Sequence, residues 1–591
     1  MKFFRLYSLA LAGALMLGAC SSSDDLKDGG ATANEGKSYI AVNIKSVGTT
    51  GAGTRADGDY PQGGGTYEDG TANEGAISKV RFFFFNSDGS AYIMKNKNVN
   101  YLELDASVSG GADHLQTIEG KTSAMLVIEG ETKTAPAYMI AVVNPQTLSL
   151  LEDKAYRESQ LRDEFTDNSF VKIATDGTGN KQYGDFVMSN SVYAENGARV
   201  CASSVSGHVE ENSTEATKNP VDIYVERVVA KATTNVNTDN GWEKITSGAD
   251  AGKYKIKVGK INIDAEHEKD VYAVVQGWGL ADENGKAELE KQIDVISNNW
   301  TSAILGIDPW TSPDYHRCFW SASVPFTVSS GSNPIVNHAF SAFTTSFGTT
   351  PLYTCPNTPT YTDFTDGVNN KPYENTLTKV LVAAKLVYYD DDNNPHSADI
   401  CKYRGMQILG ADNVLKQIAK DHSDYWTVDP TNASKHILLA YTDLDYTRTD
   451  LAGSETDKLK SYEVRPVLKA GVKVYKKNSD GSFATTDSND ELNSSLAESP
   501  VQVRKEGMTY YYTPIRHLAQ NKTEMGYYGV VRNHSYRITI NTMSGFGTPV
   551  YDPKEVIDPV IPKDTETYLA ARINVLSWRV VPSSVDLDAT K

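Results

Sequence analysis

Leu569-Ala570-Ala571-Arg572-Ile573-Asn574-Val575-Leu576-Ser577-Trp578-Arg579-Val580, close to the end of the 591-residue chain, changes parity in mid-strand. Leu569, Ala571, Ile573 and Val575 alternate on one face, the period of two that belongs to a half-buried β-strand. Leu576, Trp578 and Val580 then continue on the other parity, as a bulge or a handover between two sheets requires. The strand stands behind Pro549, Pro553, Pro559 and Pro562, whose fixed φ and missing N–H donors predict a semi-rigid linker. An apolar strand set apart in this way needs a sheet to cover it. That sheet is either a groove in a second copy or the body of its own chain.

The same period recurs back along the chain. Residues 80–85, 124–128, 137–143, 186–188 and 223–230 form a first series of strand-like runs, broken by Gly, Asn, Asp and Pro clusters. Residues 255–263, 271–275, 377–389, 472–476, 508–512 and 535–540 form a second. The unbroken Phe82-Phe83-Phe84-Phe85 predicts a strand covered on both faces. One short helix is expected within 147–164, where Leu148, Leu150, Leu151, Tyr156 and Leu161 recur at near-helical spacing. Tyrosine outnumbers the other aromatics, 33 against 17 Phe and 7 Trp, which suits half-exposed pleated surfaces. The expectation is an all-β chain of two β-sandwiches in tandem, joined near Glu226-Arg227-Val228-Val229-Ala230-Lys231. The Pro-, Thr- and Asn-rich residues 315–373 read as a long loop, functional or wrapped around its own domain.

At the other end, Lys2 and Arg5 precede an apolar run over 6–17 that is too short to span a bilayer, so residues 1–19 read as a signal peptide. Leu17-Gly18-Ala19-Cys20 reads as a lipobox, with the Cys20 thiol receiving the diacylglycerol and its palmitate-type chains. Ser21-Ser22-Ser23-Asp24-Asp25 resembles the export tag of Bacteroidales lipoproteins sent to the cell surface. Ile40, Val42 and Ile44 then alternate as one strand, and the Gly-rich 48–59 that follows is read as an exposed loop presenting Arg55 to a trypsin-like protease. A lone loop arginine is not by itself a processing site.

A net charge of −18 argues against nucleic acid, which is bound through a positive field. There is no His-Glu-x-x-His, Gly-x-x-x-x-Gly-Lys-Ser/Thr or Gly-x-Ser-x-Gly, so no catalytic constellation, metal site or cofactor is expected. His208-Val209-Glu210-Glu211 and Glu266-His267-Glu268 read as solvated loops. Asp390-Asp391-Asp392-Asn393-Asn394 lacks the rest of a calcium loop and reads as a polar turn. His517 and His534 lie beside tyrosines, where a hydrogen-bonded core or interdomain role is expected. Cys201, Cys318, Cys355 and Cys401 are too sparse for a disulfide scaffold, leaving one or two bridges or buried thiols open. Trp278, Trp300, Trp310, Trp320 and Trp426 sit in unlike contexts and define no common sugar-stacking platform.

Several segments, in order along nearly the whole chain, resemble the Mfa-like and FimA-like fimbrillins of Bacteroidales type V pili. They are Ala137-Tyr138-Met139-Ile140-Ala141-Val142-Val143-Asn144, Phe186-Val187-Met188-Ser189-Asn190, the 226–231 junction, Tyr373-Glu374-Asn375-Thr376, Tyr511-Tyr512-Thr513-Pro514-Ile515-Arg516-His517, Tyr528-Gly529-Val530-Val531-Arg532-Asn533-His534-Ser535-Tyr536 and Asn574-Val575-Leu576-Ser577-Trp578. The resemblance implies two transthyretin-like β-sandwiches, over 56–226 and 227–548, with 549–591 as linker and donor strand. It implies a lipidated propeptide over 20–55, cleaved between Arg55 and Ala56 so that the first strand is lost. The donor residues would be Leu569, Ala571, Ile573, Val575, Leu576, Trp578 and Val580, entering the groove of a neighbour. The implied partners are other copies and related fimbrial subunits, with a host or bacterial surface ligand in addition and membrane contact only through the lipid before processing. The implied destination is a cell-surface fimbria reached from an outer-membrane lipoprotein precursor. A glycan- or host-binding surface lipoprotein, or a fimbrial anchor or tip subunit, is the alternative.

Overall fold

Apolar residues that recur at period two or in short unbroken runs settle into sheet through both halves of the described chain. The structure, a computed structural model, describes residues 38–46, 70–105, 115–118, 121–128, 130–131, 134–145, 153–163, 166–167, 170, 172–175, 181–190, 193–195, 198–263, 267–292, 320–324, 335–348, 350–358, 377–448, 459–518, 526–559 and 569–576. These are mostly β, in several sheets.

The N-terminal part builds a nine-stranded sheet. Its strands are β1 (Ser38–Ser46), β2 (Lys79–Phe85), β3 (Tyr101–Asp105), β4 (Leu115–Ile118), β5 (Lys121–Ile128), β6 (Tyr138–Val143), β7 (Met188–Asn190) and β8 (Val221–Arg227). They lie in the order β3-β2-β6-β7-β8-β1-β5-β4, with Ser203–Ser204 added against β6. Phe82, Phe83, Phe84 and Phe85 are all fully buried, so β2 is dry on both faces. A single-turn helix, α1 (Ala72–Gly75), precedes β2. The helix expected within 147–164 is shorter: α2 spans Glu158–Asp163, with Tyr156 and Leu161 buried, while Leu148, Leu150 and Leu151 lie outside the described residues.

Arg227 ends one sheet and Ala230 begins another. A four-stranded sheet runs β12-β9-β21-β22, formed by β9 (Ala230–Val236), β12 (Leu352–Thr354), β21 (Ser535–Met543) and β22 (Leu569–Leu576). A seven-stranded sheet is centred on β10 (Tyr254–Asn262), β11 (Glu268–Ala281), β13 (Lys379–Tyr389) and β20 (Met508–Pro514), adjacent in that order. The two sheets share a core that includes Trp278, Leu386, Tyr511, Tyr536 and Ile538. The described residues within 315–373 are more than a loop: β12 extends the sheet beside β9, and Asn357 exchanges backbone hydrogen bonds of 2.8 Å with Val530.

The second half also holds a layer that is not expected from the sequence. Strands β13 and β20 pair directly with each other, yet residues 400–504 between them form a module with its own core. The module contains β14 (Ile400–Tyr403), α3 (Ala411–Asp421), β15 (Tyr425–Asp429), β16 (Asn432–Leu438), β17 (Glu463–Leu468), β18 (Val474–Lys476), α4 (Asn489–Ala497) and β19 (Val501–Arg504). Val414, Leu415, Ile418 and Ala419 are the buried positions of α3, spaced as a helix face requires. Cys401 lies in this core, and burial pushes its thiol up to about 12. Cys201 and Cys355 are also buried, and Cys318 lies outside the described residues.

Glycine is required at one point of close approach. Strand β11 slips register between Val275 and Gly277, and a Cβ on Gly277 would stand 2.3 Å from the carbonyl oxygen of Phe343. Gly277→Ala should therefore lower stability by about 1–3 kcal/mol. The expected readout is a lower urea midpoint at unchanged m-value, with Gly184→Ala, where a Cβ meets nothing within 4 Å, as the neutral control.

Candidate assembly site

Strand β1 sits inside the N-terminal sheet, not at its edge. It runs parallel to β8, from Val42 opposite Val221 to Ser46 opposite Val225, and antiparallel to β5, from Ser38 opposite Ile128 to Lys45 opposite Lys121. At its start Tyr39 exchanges two backbone hydrogen bonds with Glu210, of 2.8 and 2.9 Å. Ile40, Ala41 and Val42 are all buried, so both faces are covered there and the simple alternation of the sequence is exceeded. The short helix Ser213–Lys218 lies against this strand and buries Ala216. Without β1, the facing edges of β8 and β5 would lose their partners, and Ile223, Val225, Leu126 and Ile128 would lose part of their cover.

Beyond Ser46 the next described residue is Gly70, so Arg55 and Ala56 lie outside the described residues, as does Cys20. The chain re-enters at a strongly held point. Thr71 and Glu74 form a capping box around α1, and Glu74, almost fully buried, pairs with Lys231 at 2.7 Å and accepts a hydrogen bond from the Tyr353 hydroxyl. The Arg227 guanidinium donates to the Glu74 carbonyl at 2.6 Å and to the Asn533 side chain at 3.2 Å. One cluster thus ties α1, the end of β8, the start of β9 and the 526–534 turn together. Burial alone would raise the Glu74 carboxyl, but the charge and hydrogen bond of Lys231, with those of Tyr353 and the Thr71 amide, hold it below the ordinary value.

A second buried cluster crosses the same joint. Glu226 pairs with Lys291 at 2.8 Å and with Arg532 at 3.1 Å. Arg532 also donates to the Ser189 hydroxyl at 2.8 Å and to the Leu289 carbonyl at 2.9 Å. Burial pulls the Arg532 guanidinium below its ordinary value, and Glu226 opposes that pull. Nearby, His517 meets the Tyr536 hydroxyl at 2.9 Å and His534 meets the Arg532 carbonyl at 2.8 Å, the hydrogen-bonded roles expected of both.

The terminal strand is placed on its own chain. Strand β22 runs antiparallel along β21 at the sheet edge, from Leu569 opposite Met543 to Leu576 opposite Ser535. The register slips between Ile540 and Thr542, near the start of β22 and away from the parity change at 575–576. The backbones of Leu569, Ala571, Ile573, Val575 and Leu576 thus share one strand, and Trp578 and Val580 lie outside the described residues. The proline linker is partly tied down: Thr548–Pro549 pairs with β20, and the Ile557 amide donates to the His338 carbonyl at 2.9 Å.

The polar residues His208, Glu268 and Asp390 make ordinary contacts. His208 meets the Asn219 carbonyl at 3.1 Å, Glu268 pairs with Lys260 at 2.7 Å, and Asp390 is held below the usual carboxylate range by His396 and by the Asn394 amides. Among the described residues no three His, Cys, Asp or Glu side chains gather as a ligand set.

Residues 503–583 match the family model described as the major fimbrial subunit protein type IV, fimbrillin, C-terminal. No curated relative matches the chain. Among solved structures, a candidate cell adhesion protein of Parabacteroides distasonis aligns at 11% identity over 92% of this chain and 99% of its own, with a TM-score of 0.33. The C-terminally truncated tip fimbrial protein Mfa3 of Porphyromonas gingivalis aligns at 10% identity over 91% and 99%, with a TM-score of 0.28. A fimbrial assembly protein of P. distasonis aligns at 9% identity over 76% and 98%, with a TM-score of 0.24. At these scores the superpositions carry no weight.

The two clusters make separate predictions. Arg532→Ala strands the buried Glu226 carboxylate beside a single cation and should cost about 3–5 kcal/mol in a denaturant titration. Because the folded Glu74 pKa is lowered, its contribution is complete above the ordinary value of 4.5 and is lost as the pH falls below it. Stability of Glu74→Gln should therefore fall less steeply than that of the parent on the acid side, when both are unfolded across a pH series.

Proposed function

We propose that this chain is a structural fimbrial subunit, a reading supported by the fimbrillin match over residues 503–583, and that it serves as a stalk subunit polymerising by strand exchange. It is exported as a lipoprotein acylated at Cys20, with 20–55 as a propeptide. Cleavage between Arg55 and Ala56 releases β1. The mature subunit consists of a sandwich over 56–226, a second over 227–548 and a donor segment over 549–591. The segment carrying Leu569 to Val580 leaves its own chain and enters the groove of the next copy or of a related subunit. The resulting fibre stands on the cell surface and supports adhesion and biofilm formation.

The internal position of β1 carries this reading. An edge strand can be lost with little consequence, whereas β1 has a hydrogen-bonding neighbour on each side. Its departure leaves two facing rows of backbone groups, each costing about 1–3 kcal/mol if buried and unpaired. An incoming strand repairs both rows, and each large apolar side chain it buries contributes about 1.5–3 kcal/mol before the cost of ordering. The Glu74 cluster supports the same reading, because it anchors the chain downstream of Arg55 whether or not β1 is present. Pairing of β22 with β21 supports a precursor that keeps its donor covered until a groove opens. Groove and donor are different surfaces, so the contact is head-to-tail and builds an open filament.

Limited trypsin digestion of the lipid-free chain, followed by mass measurement and unheated gels, tests the proposal. Cleavage after Arg55 should convert monomer into a ladder, and both Arg55→Ala and truncation after Pro562 should abolish it. A cleaved chain that stays monomeric, or a ladder that survives the truncation, would overturn strand exchange.

A further inference from the structure

The inserted 400–504 module carries a solvent-facing cluster of aromatic rings that neither the fold nor strand exchange uses. In β15, Tyr425 and Thr427 point into the module core, so Trp426 and Val428 point outward. Directly opposite residues of antiparallel strands share a face. The register therefore sets Leu438 of β16, Trp426 of β15 and Tyr475 of β18 in one row, with His436 and Val428 in the next. Phe483, from the turn after β18, stacks on the His436 ring at 3.9 Å and meets Trp426 edge-on at 5.5 Å. His436 meets Tyr475 edge-on at 5.3 Å, and the Lys477 ammonium lies 5.5 Å from the Trp426 ring centre. Leu438 is 49% and Val428 36% exposed, among the few large apolar side chains this open to solvent in the described residues.

We propose that this face is a carbohydrate-binding site, taking a short saccharide whose C–H faces stack on Trp426 and Tyr475. Three features favour a sugar. The rings are rigid plates at the surface, and among the described residues the Trp426 indole N–H, the Tyr475 hydroxyl and both His436 nitrogens form no hydrogen bond with protein, leaving them for sugar hydroxyls. The patch is three strands wide, about 10 Å, and two residue rows deep, far short of the roughly 800 Å² per partner that a stable protein interface needs. The module is also dispensable to the sheet it interrupts, since β13 and β20 pair without it, which leaves its outer face free to serve recognition. The site is independent of β1 and β22, so failure of strand exchange would not bear on it.

The test uses the purified full-length, lipid-free chain with lactose, maltose, N,N′-diacetylchitobiose and 3′-sialyllactose as probes, read by saturation-transfer NMR and calorimetry. At least one probe should bind with a millimolar or tighter dissociation constant. Trp426→Ala and Tyr475→Ala should each weaken it by about tenfold or more, and Trp426→Phe should retain most of it. Thermal unfolding of each variant separates loss of binding from loss of fold; Tyr475→Ala and His436→Ala keep the test valid if Trp426→Ala unfolds the module. Absence of binding by all four probes up to about 10 mM, or unchanged binding in the folded variants, overturns the proposal. Trp426-dependent self-association in sedimentation without sugar binding would also overturn it, assigning the face to a second copy.

Discussion

Parallel pairing between an early and a late strand of each part holds the molecule together. Strand β1 lies parallel to β8, which ends the N-terminal sheet, and β9 lies parallel to β21 in the second body. A parallel pair cannot be closed by a tight turn, so each early strand is enclosed only after the chain has made its full excursion. The same local arrangement therefore appears twice with different consequences. Strand β9 follows β8 after only two residues and starts inside a buried ionic cluster, so it cannot leave. Strand β1 is followed by residues 47–69, outside the described residues, and the first strong anchor downstream among the described residues is Glu74.

The joint between the two bodies is built from charge, at a place where apolar packing would have been less costly. Burying Glu226, Lys291 and Arg532 together, or Glu74 with Lys231, carries a desolvation cost that mutual attraction offsets only with good geometry. What such pairs add is register, because a displaced joint would leave a buried ion alone. Such pairs fix the angle between the two bodies more firmly than they add to stability. This ties the 226–231 and 528–536 segments, far apart in sequence, to one joint.

The inserted module adds a surface to the second body without disturbing the sheet it interrupts. It enters between two strands that already pair, and it brings a separate core, two helices and an outward aromatic face. Its helices escape a reading of the sequence because the chain around them has the pattern of strand and turn. The spacing of Val414, Leu415, Ile418 and Ala419 is nevertheless a legible helix signal.

Much of the fold is legible directly. Period-two alternation locates β1, β13, β20 and β21 to within a few residues, since side-chain direction in a strand is set by the backbone alone, while only the middle of the much longer β11 is caught. The phenylalanine run announces a doubly covered strand, and the 226–231 segment marks the change of sheet. Period carries no information about neighbours, however. Only the tertiary structure decided that β1 is internal and parallel to β8, that β22 lies along β21 of its own chain, and that Trp426 shares a face with Tyr475 and His436. Those facts are long-range pairings, fixed by which edges and apolar faces remain uncovered once the whole chain has folded, and no local stretch of sequence contains them.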